Sequence, residues 1–185
     1  YEAGQDKSEL QLYLYEGICF ENIKIININH IYGNGHDITI GKNVVNATKE
    51  PDDYSLGFYL YGSGQRGMVG NSVGKISVYS GTTIRIVGYV RNNSSINTSG
   101  LKADITVGGT ANVSTVVAGS ASGAVSGADV AISVEGGYVG TLIGGNQGFS
   151  NILSPYEGDT SITISGGTVS TILGAGSGRA VSIPT

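Results

Sequence analysis

Four stretches of this chain repeat one pattern, and a repeat constrains a fold more than any single motif. Ile76-Ser77-Val78-Tyr79-Ser80-Gly81-Thr82 is followed by Ile84-Arg85-Ile86-Val87-Gly88. Ile105-Thr106-Val107-Gly108-Gly109-Thr110 is followed by Val113-Ser114-Thr115-Val116-Val117-Ala118-Gly119. Ile132-Ser133-Val134-Glu135-Gly136-Gly137-Tyr138 is followed by Val139-Gly140-Thr141-Leu142-Ile143-Gly144-Gly145. Ile162-Thr163-Ile164-Ser165-Gly166-Gly167-Thr168 is followed by Val169-Ser170-Thr171-Ile172-Leu173-Gly174-Ala175. The starts are 29, 27 and 30 residues apart. A divergent copy precedes them, with Ile38-Thr39-Ile40-Gly41, an insertion around Asn43 to Ser55, and then Phe58-Tyr59-Leu60-Tyr61-Gly62.

Each unit reads as short strands joined by glycine corners, with no helix. An apolar-polar-apolar triplet places both apolar side chains on one face of a strand. Glycine turns a tight corner because it reaches positive φ at no steric cost. One such coil cannot bury its inner face, whereas stacked coils share a continuous core. The expected fold is therefore all-β, a parallel β-helix or β-solenoid of about five coils. Ile76, Ile105, Ile132 and Ile162 should form an inward ladder, and Thr39, Ser77, Thr106, Ser133 and Thr163 an outward, solvated one. Thr115, Thr141 and Thr171 align in a further column.

The first 35 residues read differently. Leu10 to Tyr15 alternates, and Phe20 to Ile31 is isoleucine-rich and interrupted by asparagines that disfavour helix. We expect residues 1–35 to be an N-terminal strand cap and residues 36–185 to be one continuous solenoid domain.

Composition limits the function classes. Charged residues make up 13%, about half the ~25% usual for soluble domains, so small and hydroxylated residues must form most of the surface. The net charge is −4, and no basic patch is available to follow a phosphate backbone, which argues against nucleic acid. No apolar run approaches the ~18 residues of a membrane helix, so no membrane insertion is expected. Cys19 is the only cysteine. It admits no internal disulfide, and its place between Ile18 and Phe20 suggests a buried apolar role. The chain carries neither an initiating Met nor a signal peptide, and we read it as a segment of a larger secreted protein.

The repeat resembles the glycine-rich β-solenoid repeats of adhesin-like surface proteins of Gram-positive gut bacteria. The resemblance rests on Ile31-Tyr32-Gly33-Asn34-Gly35-His36 leading into Ile38-Thr39-Ile40, on Ser165-Gly166-Gly167-Thr168-Val169, and on Leu142-Ile143-Gly144-Gly145. It implies right-handed parallel β-helix coils, the architecture shared with pectate-lyase-like enzymes, and an extracellular, cell-surface location.

Catalytic signals are sparse. Among the repeat acids Asp104, Asp129, Glu135, Glu157 and Asp159 the only Lys or Arg from Ala103 onward is Arg179, whereas β-helix polysaccharide enzymes need clustered carboxylates beside a basic residue. His30, His36 and Asp37 lie close in sequence, but their positions read as turn and edge residues. Gly62-Ser63-Gly64-Gln65-Arg66-Gly67 matches a dinucleotide-type glycine string, with no helix to follow it.

Tyrosine carries the strongest binding signal, since nine of the 11 precede Arg91. Tyr54, Phe58, Tyr59 and Tyr61 are the candidate carbohydrate-binding face, because aromatic rings stack on sugars. Asp52 and Asp53 are the candidate ligands of one weak calcium ion, and no other cofactor is implied. The sequence thus favours a non-catalytic adhesion or stalk module whose partner is a host or bacterial surface glycan or protein. The alternatives are a carbohydrate-binding module with a tyrosine-rich face and a fragment of a polysaccharide-degrading β-helix enzyme.

Overall fold

The computed structural model describes residues 10–47, 57–65, 72–91, 96–97, 100–121, 125–126, 129–147 and 156–174. Along the chain these form β1 (Leu10–Tyr13), β2 (Ile18–Phe20), β3 (Ile23–Ile26), β4 (Ile28–Tyr32), β5 (Ile38–Ile40), β6 (Val44–Ala47), β7 (Phe58–Tyr61) and β8 (Ile76–Val78). They continue with β9 (Thr82–Val87), β10 (Ile96–Asn97), β11 (Lys102–Val107), β12 (Asn112–Val117), β13 (Val125–Ser126), β14 (Asp129–Ile143), β15 (Tyr156–Glu157) and β16 (Thr160–Leu173). Every strand pairing is parallel, and no helix occurs among the described residues. The fold is an all-β parallel β-solenoid of about four turns.

Two columns of strands make the body. The first stacks β2, β5, β8, β11 and the leading halves of β14 and β16. Its register places Ile76, Ile105, Ile132 and Ile162 opposite one another, as the triplets predicted, and adds Ile38 and Ile18 to the same ladder. Ile38 through Ile132 are fully buried in the main core. The second column stacks β1, β4, β7, β9, β12 and the trailing halves of β14 and β16. Here Ile31, Leu60, Ile86, Val116 and Leu142 point into the same core. Of the strands of the first 35 residues, β1, β2 and β4 thus pair in the columns of the repeats that follow. A third, short ladder joins β10, β13 and β15, and β3 pairs with β6.

The corner between the first and second strand columns is a column in its own right. Gly81, Gly109, Gly137 and Gly167 have φ of 73°, 55°, 71° and 74°. A Cβ on Gly137 would lie 2.4 Å from the carbonyl oxygen of Ala111, so any side chain there collides with the neighbouring coil. In the two earlier coils asparagines turn the chain after the first-column strand: Asn22 (φ 53°) after β2 and Asn43 (φ 54°) after β5. Asparagine is the residue other than glycine that most readily adopts this conformation. The Asn43 amide Nδ2 donates to Asn22 Oδ1 at 2.8 Å, which ties the two corners together.

Two expectations about side-chain environment change. Strand alternation turns Ile18 and Phe20 toward the core, so Cys19 faces outward and is exposed. In the outward hydroxyl column the register is as expected, but Ser77 and Thr106 are buried while Thr163 is exposed. Small side chains inside a stack are shielded by rungs on both sides, and Thr163 lies on the last described rung.

Candidate functional site

The tyrosine-rich β7 obeys strand alternation. Phe58 and Leu60 enter the main core with no exposure, while Tyr59 and Tyr61 point to the outer face of the second column. Register then brings partners from neighbouring strands. His30 lies opposite Tyr59, Tyr32 opposite Tyr61, Tyr13 opposite Tyr32, and Gln11 opposite His30. The rings stack as the strands do. Tyr13–Tyr32 centroids are 4.7 Å apart at 15°, Tyr32–Tyr61 4.8 Å at 12°, and His30–Tyr59 4.6 Å at 15°. These separations match the ~4.7–4.9 Å spacing of paired strands, so the stacking follows from in-register pairing.

The outer face is nonetheless covered. Tyr32, Tyr61, Val87, Val117 and Ile143 are buried and form a second apolar cluster with Ala121, against which Tyr59 packs. The segments that follow the second-column strands bond to one another, and Ala121 of one of them packs in this cluster. Ser63 N donates to Tyr89 O at 3.0 Å, Tyr89 N to Gly119 O at 3.2 Å, and Gly119 N to Gly145 O at 3.1 Å. From one such segment, Arg91 Nη1 donates to the Tyr32 hydroxyl at 2.8 Å. The same nitrogen approaches His30 Nδ1 at 3.5 Å, as does the Tyr61 hydroxyl.

Burial pushes the Tyr32 hydroxyl above the usual tyrosine range, with Arg91 pulling the other way. Burial likewise pushes Tyr61 far up. Both therefore stay neutral at any ordinary pH. At the β1 edge of the described stack, Tyr13 is 38% exposed, and its hydroxyl lies 2.9 Å from Gln11 Oε1 and 3.1 Å from Gln65 Oε1, donating its one proton to either.

The candidate residues from the sequence therefore separate. Tyr54, Asp52 and Asp53 lie outside the described residues. Phe58 and Tyr61 are buried, one inside each cluster, and offer no ring face to a sugar. Tyr59 keeps partial exposure, with one face against His30. The sequence reading did not single out Tyr13, Tyr32, His30, Arg91 or the two glutamines as a group. One signal was available, because tyrosines recur at the outward position of β1, β4 and β7 once the strands are aligned.

The acidic residues are dispersed. Asp104 lies opposite Ala131 and pairs with Lys102 at 3.4 Å, while Asp129 lies opposite Lys102 and accepts from Asp159 N at 3.1 Å. Glu135 accepts from Ser133 Oγ at 3.3 Å. Asp37 Oδ1 accepts from Lys75 N at 2.8 Å and so braces a turn. No group of three or more His, Cys, Asp or Glu side chains suited to a metal exists among the described residues. On the outer face of the first column, Lys75, Asp104, Thr106, Ser133, Ser161 and Thr163 line a shallow groove of about 300 Å³. It is rich in hydroxyl groups and suited to hydrogen bonding a polar ligand.

No protein-family model matches the chain, and comparisons with curated proteins and with solved structures likewise give no match.

Proposed function

We propose that this chain is a non-catalytic structural and adhesive module of an extracellular, cell-surface protein. The observation that carries this reading is the unbroken in-register column from Ile18 to Ile162. A stack in which each rung pairs with the next lengthens by adding coils and holds a fixed axis, as a stalk requires. Its outward column carries small hydroxyl side chains, of which Thr39, Ser133 and Thr163 reach the surface and offer a weakly charged face for contact with another macromolecule. The resemblance to solenoid repeats of adhesin-like bacterial surface proteins is consistent with this role. The test is adhesion of beads coated with the chain to bacterial and epithelial surfaces, with and without chelator. Saturable adhesion supports the reading, and beads that adhere no better than beads coated with an unrelated stable protein overturn the adhesive half of it.

A carbohydrate-binding role is the second reading, favoured by the hydroxyl-lined groove and by the partly exposed Tyr59 and Tyr13. A glycan array probes it directly, with a blank array counting against it.

A further inference from the structure

We infer that Tyr13, with Gln11 and Gln65, is a stacking platform for a neutral hexopyranose ring. The inference rests on the adhesive reading and gives that reading a ligand class and a place. Among the described residues, Tyr13 ends a three-ring stack whose inner members, Tyr32 and Tyr61, are buried. One face of its ring lies on Tyr32 at 4.7 Å, and the side chain keeps 38% exposure. An exposed tyrosine ordinarily samples several rotamers. This one is held by the ring beneath it and by its hydroxyl contacts to both glutamines. A platform fixed before binding loses little conformational freedom when a ligand arrives.

The chemistry around the ring selects the ligand. The face of a tyrosine ring is electronegative and attracts weakly positive C–H groups, which the apolar side of a pyranose supplies. The Tyr13 hydroxyl lies within bonding distance of the carbonyl oxygens of Gln11 and Gln65 and donates its one proton to either, while each amide NH2 remains to donate to a sugar hydroxyl. Among the described residues, the cation bonded to the ring stack is Arg91, which directs a guanidinium nitrogen to the Tyr32 hydroxyl at 2.8 Å. With that donor committed one rung inward, the platform suits a neutral sugar better than an acidic one. A single ring platform binds weakly, in the range of about 1 mM, and a surface carrying many copies would gain through avidity.

The experiment is NMR titration of the chain with methyl β-galactoside, methyl β-glucoside and methyl N-acetyl-β-glucosaminide, with a methyl sialoside as the charged control. The expected result is saturable shifts of the Tyr13 ring signals with a neutral glycoside. Tyr13→Ala should weaken binding by about tenfold or more, while Tyr13→Phe keeps the stack and loses only a few-fold. Gln65→Ala, which leaves the ring in place, is the check should Tyr13→Ala fail to fold, and it should weaken binding a few-fold. The inference is overturned by an absence of saturation with every neutral glycoside, by binding that survives Tyr13→Ala, or by stronger binding of the sialoside. Bead adhesion is measured on the same variants. Adhesion retained by Tyr13→Ala removes the platform and leaves the adhesive reading standing, whereas a wild-type chain that neither binds sugar nor adheres removes both.

Discussion

The early coils and the later repeats solve the same packing problem with different residues. At the corner after the first-column strand, the early coils use Asn22 and Asn43 and the later ones use Gly81, Gly109, Gly137 and Gly167. On the outer face, the early coils stack Tyr13, Tyr32 and Tyr61, while the same column continues as Val87, Val117, Ile143 and Leu173. One backbone geometry thus accepts two chemistries. In the later coils neighbouring backbones approach so closely that a Cβ at the corner collides with a carbonyl. In the early coils the corner leaves room for a side chain, and Asn43 uses it to reach Asn22. The later repeats are therefore governed by close backbone approach, and the early ones by side chains that reach between coils.

The largest test of this contrast removes one ring. Tyr61 is buried between Tyr32 and the Val87 rung. Tyr61→Ala should cost about 3–5 kcal/mol, as large aromatic truncations in cores do. Val117→Ala, two rungs further along the same column, should cost about 1.5–3 kcal/mol. Urea unfolding of both variants measures the difference. Equal costs would show that the aromatic end contributes nothing beyond the aliphatic column it replaces.

The second test carries the asparagine solution into the glycine region. Gly137→Asn keeps a residue that tolerates φ of 71° but adds a Cβ 2.4 Å from Ala111 O. The predicted cost is about 1–3 kcal/mol, the range for strained backbone positions. A wild-type melting temperature for this variant would mean that the coils separate readily and that close approach does not govern the later corners.

Alkaline pH separates the halves by charge. The Tyr32 and Tyr61 hydroxyls are raised by burial, while tyrosine in the unfolded chain ionises near pH 10. Their contribution to stability is complete below about pH 10 and falls as pH rises above it, because the unfolded state loses its protons first. Hydrogen exchange should show the Tyr32 and Tyr61 rungs opening before the Leu142 rung as pH climbs past that point. Simultaneous opening would mean that the stack unfolds as one unit.

The sequence made some of this architecture readable for a definite reason. Ile76, Ile105, Ile132 and Ile162 repeat at nearly constant spacing within triplets of period two, so alternation and stacking both point inward. Cys19 was misread because its apolar neighbours were taken as its environment, although they are on the opposite face of the strand. The candidate site was less legible. Phe58, Tyr59 and Tyr61 are adjacent in sequence, yet alternation splits them between two clusters. Their true partners, His30 and Tyr32, arrive from another coil through register, and Arg91 from the segment after β9, and no local motif encodes register between coils of unequal length. The segments at Tyr89 and Gly119 bond to each other through their backbones, and such contacts leave no mark in residue type.

The smallest expected effect is the most discriminating. Asn43→Gly places the residue of the later corners in the early coil. Glycine fits φ of 54° without strain and has more freedom to lose on folding. The substitution also removes the Nδ2 bond to Asn22 Oδ1, an exposed contact, and exposed hydrogen bonds contribute about 0.5–1.5 kcal/mol at most. Relief of strain and loss of the bond oppose one another, so the net change should lie within about 0.5 kcal/mol of zero. Asn43→Ala loses the bond and keeps the strain of a Cβ at positive φ, so it should cost about 1 kcal/mol or more. Thermal unfolding of the pair ranks the two terms. If both variants fall below the wild type by the same amount, the Asn43–Asn22 contact that both lose is what holds the early corner together. If only the alanine variant falls, backbone strain sets the residue there, and the asparagines stand in for glycine.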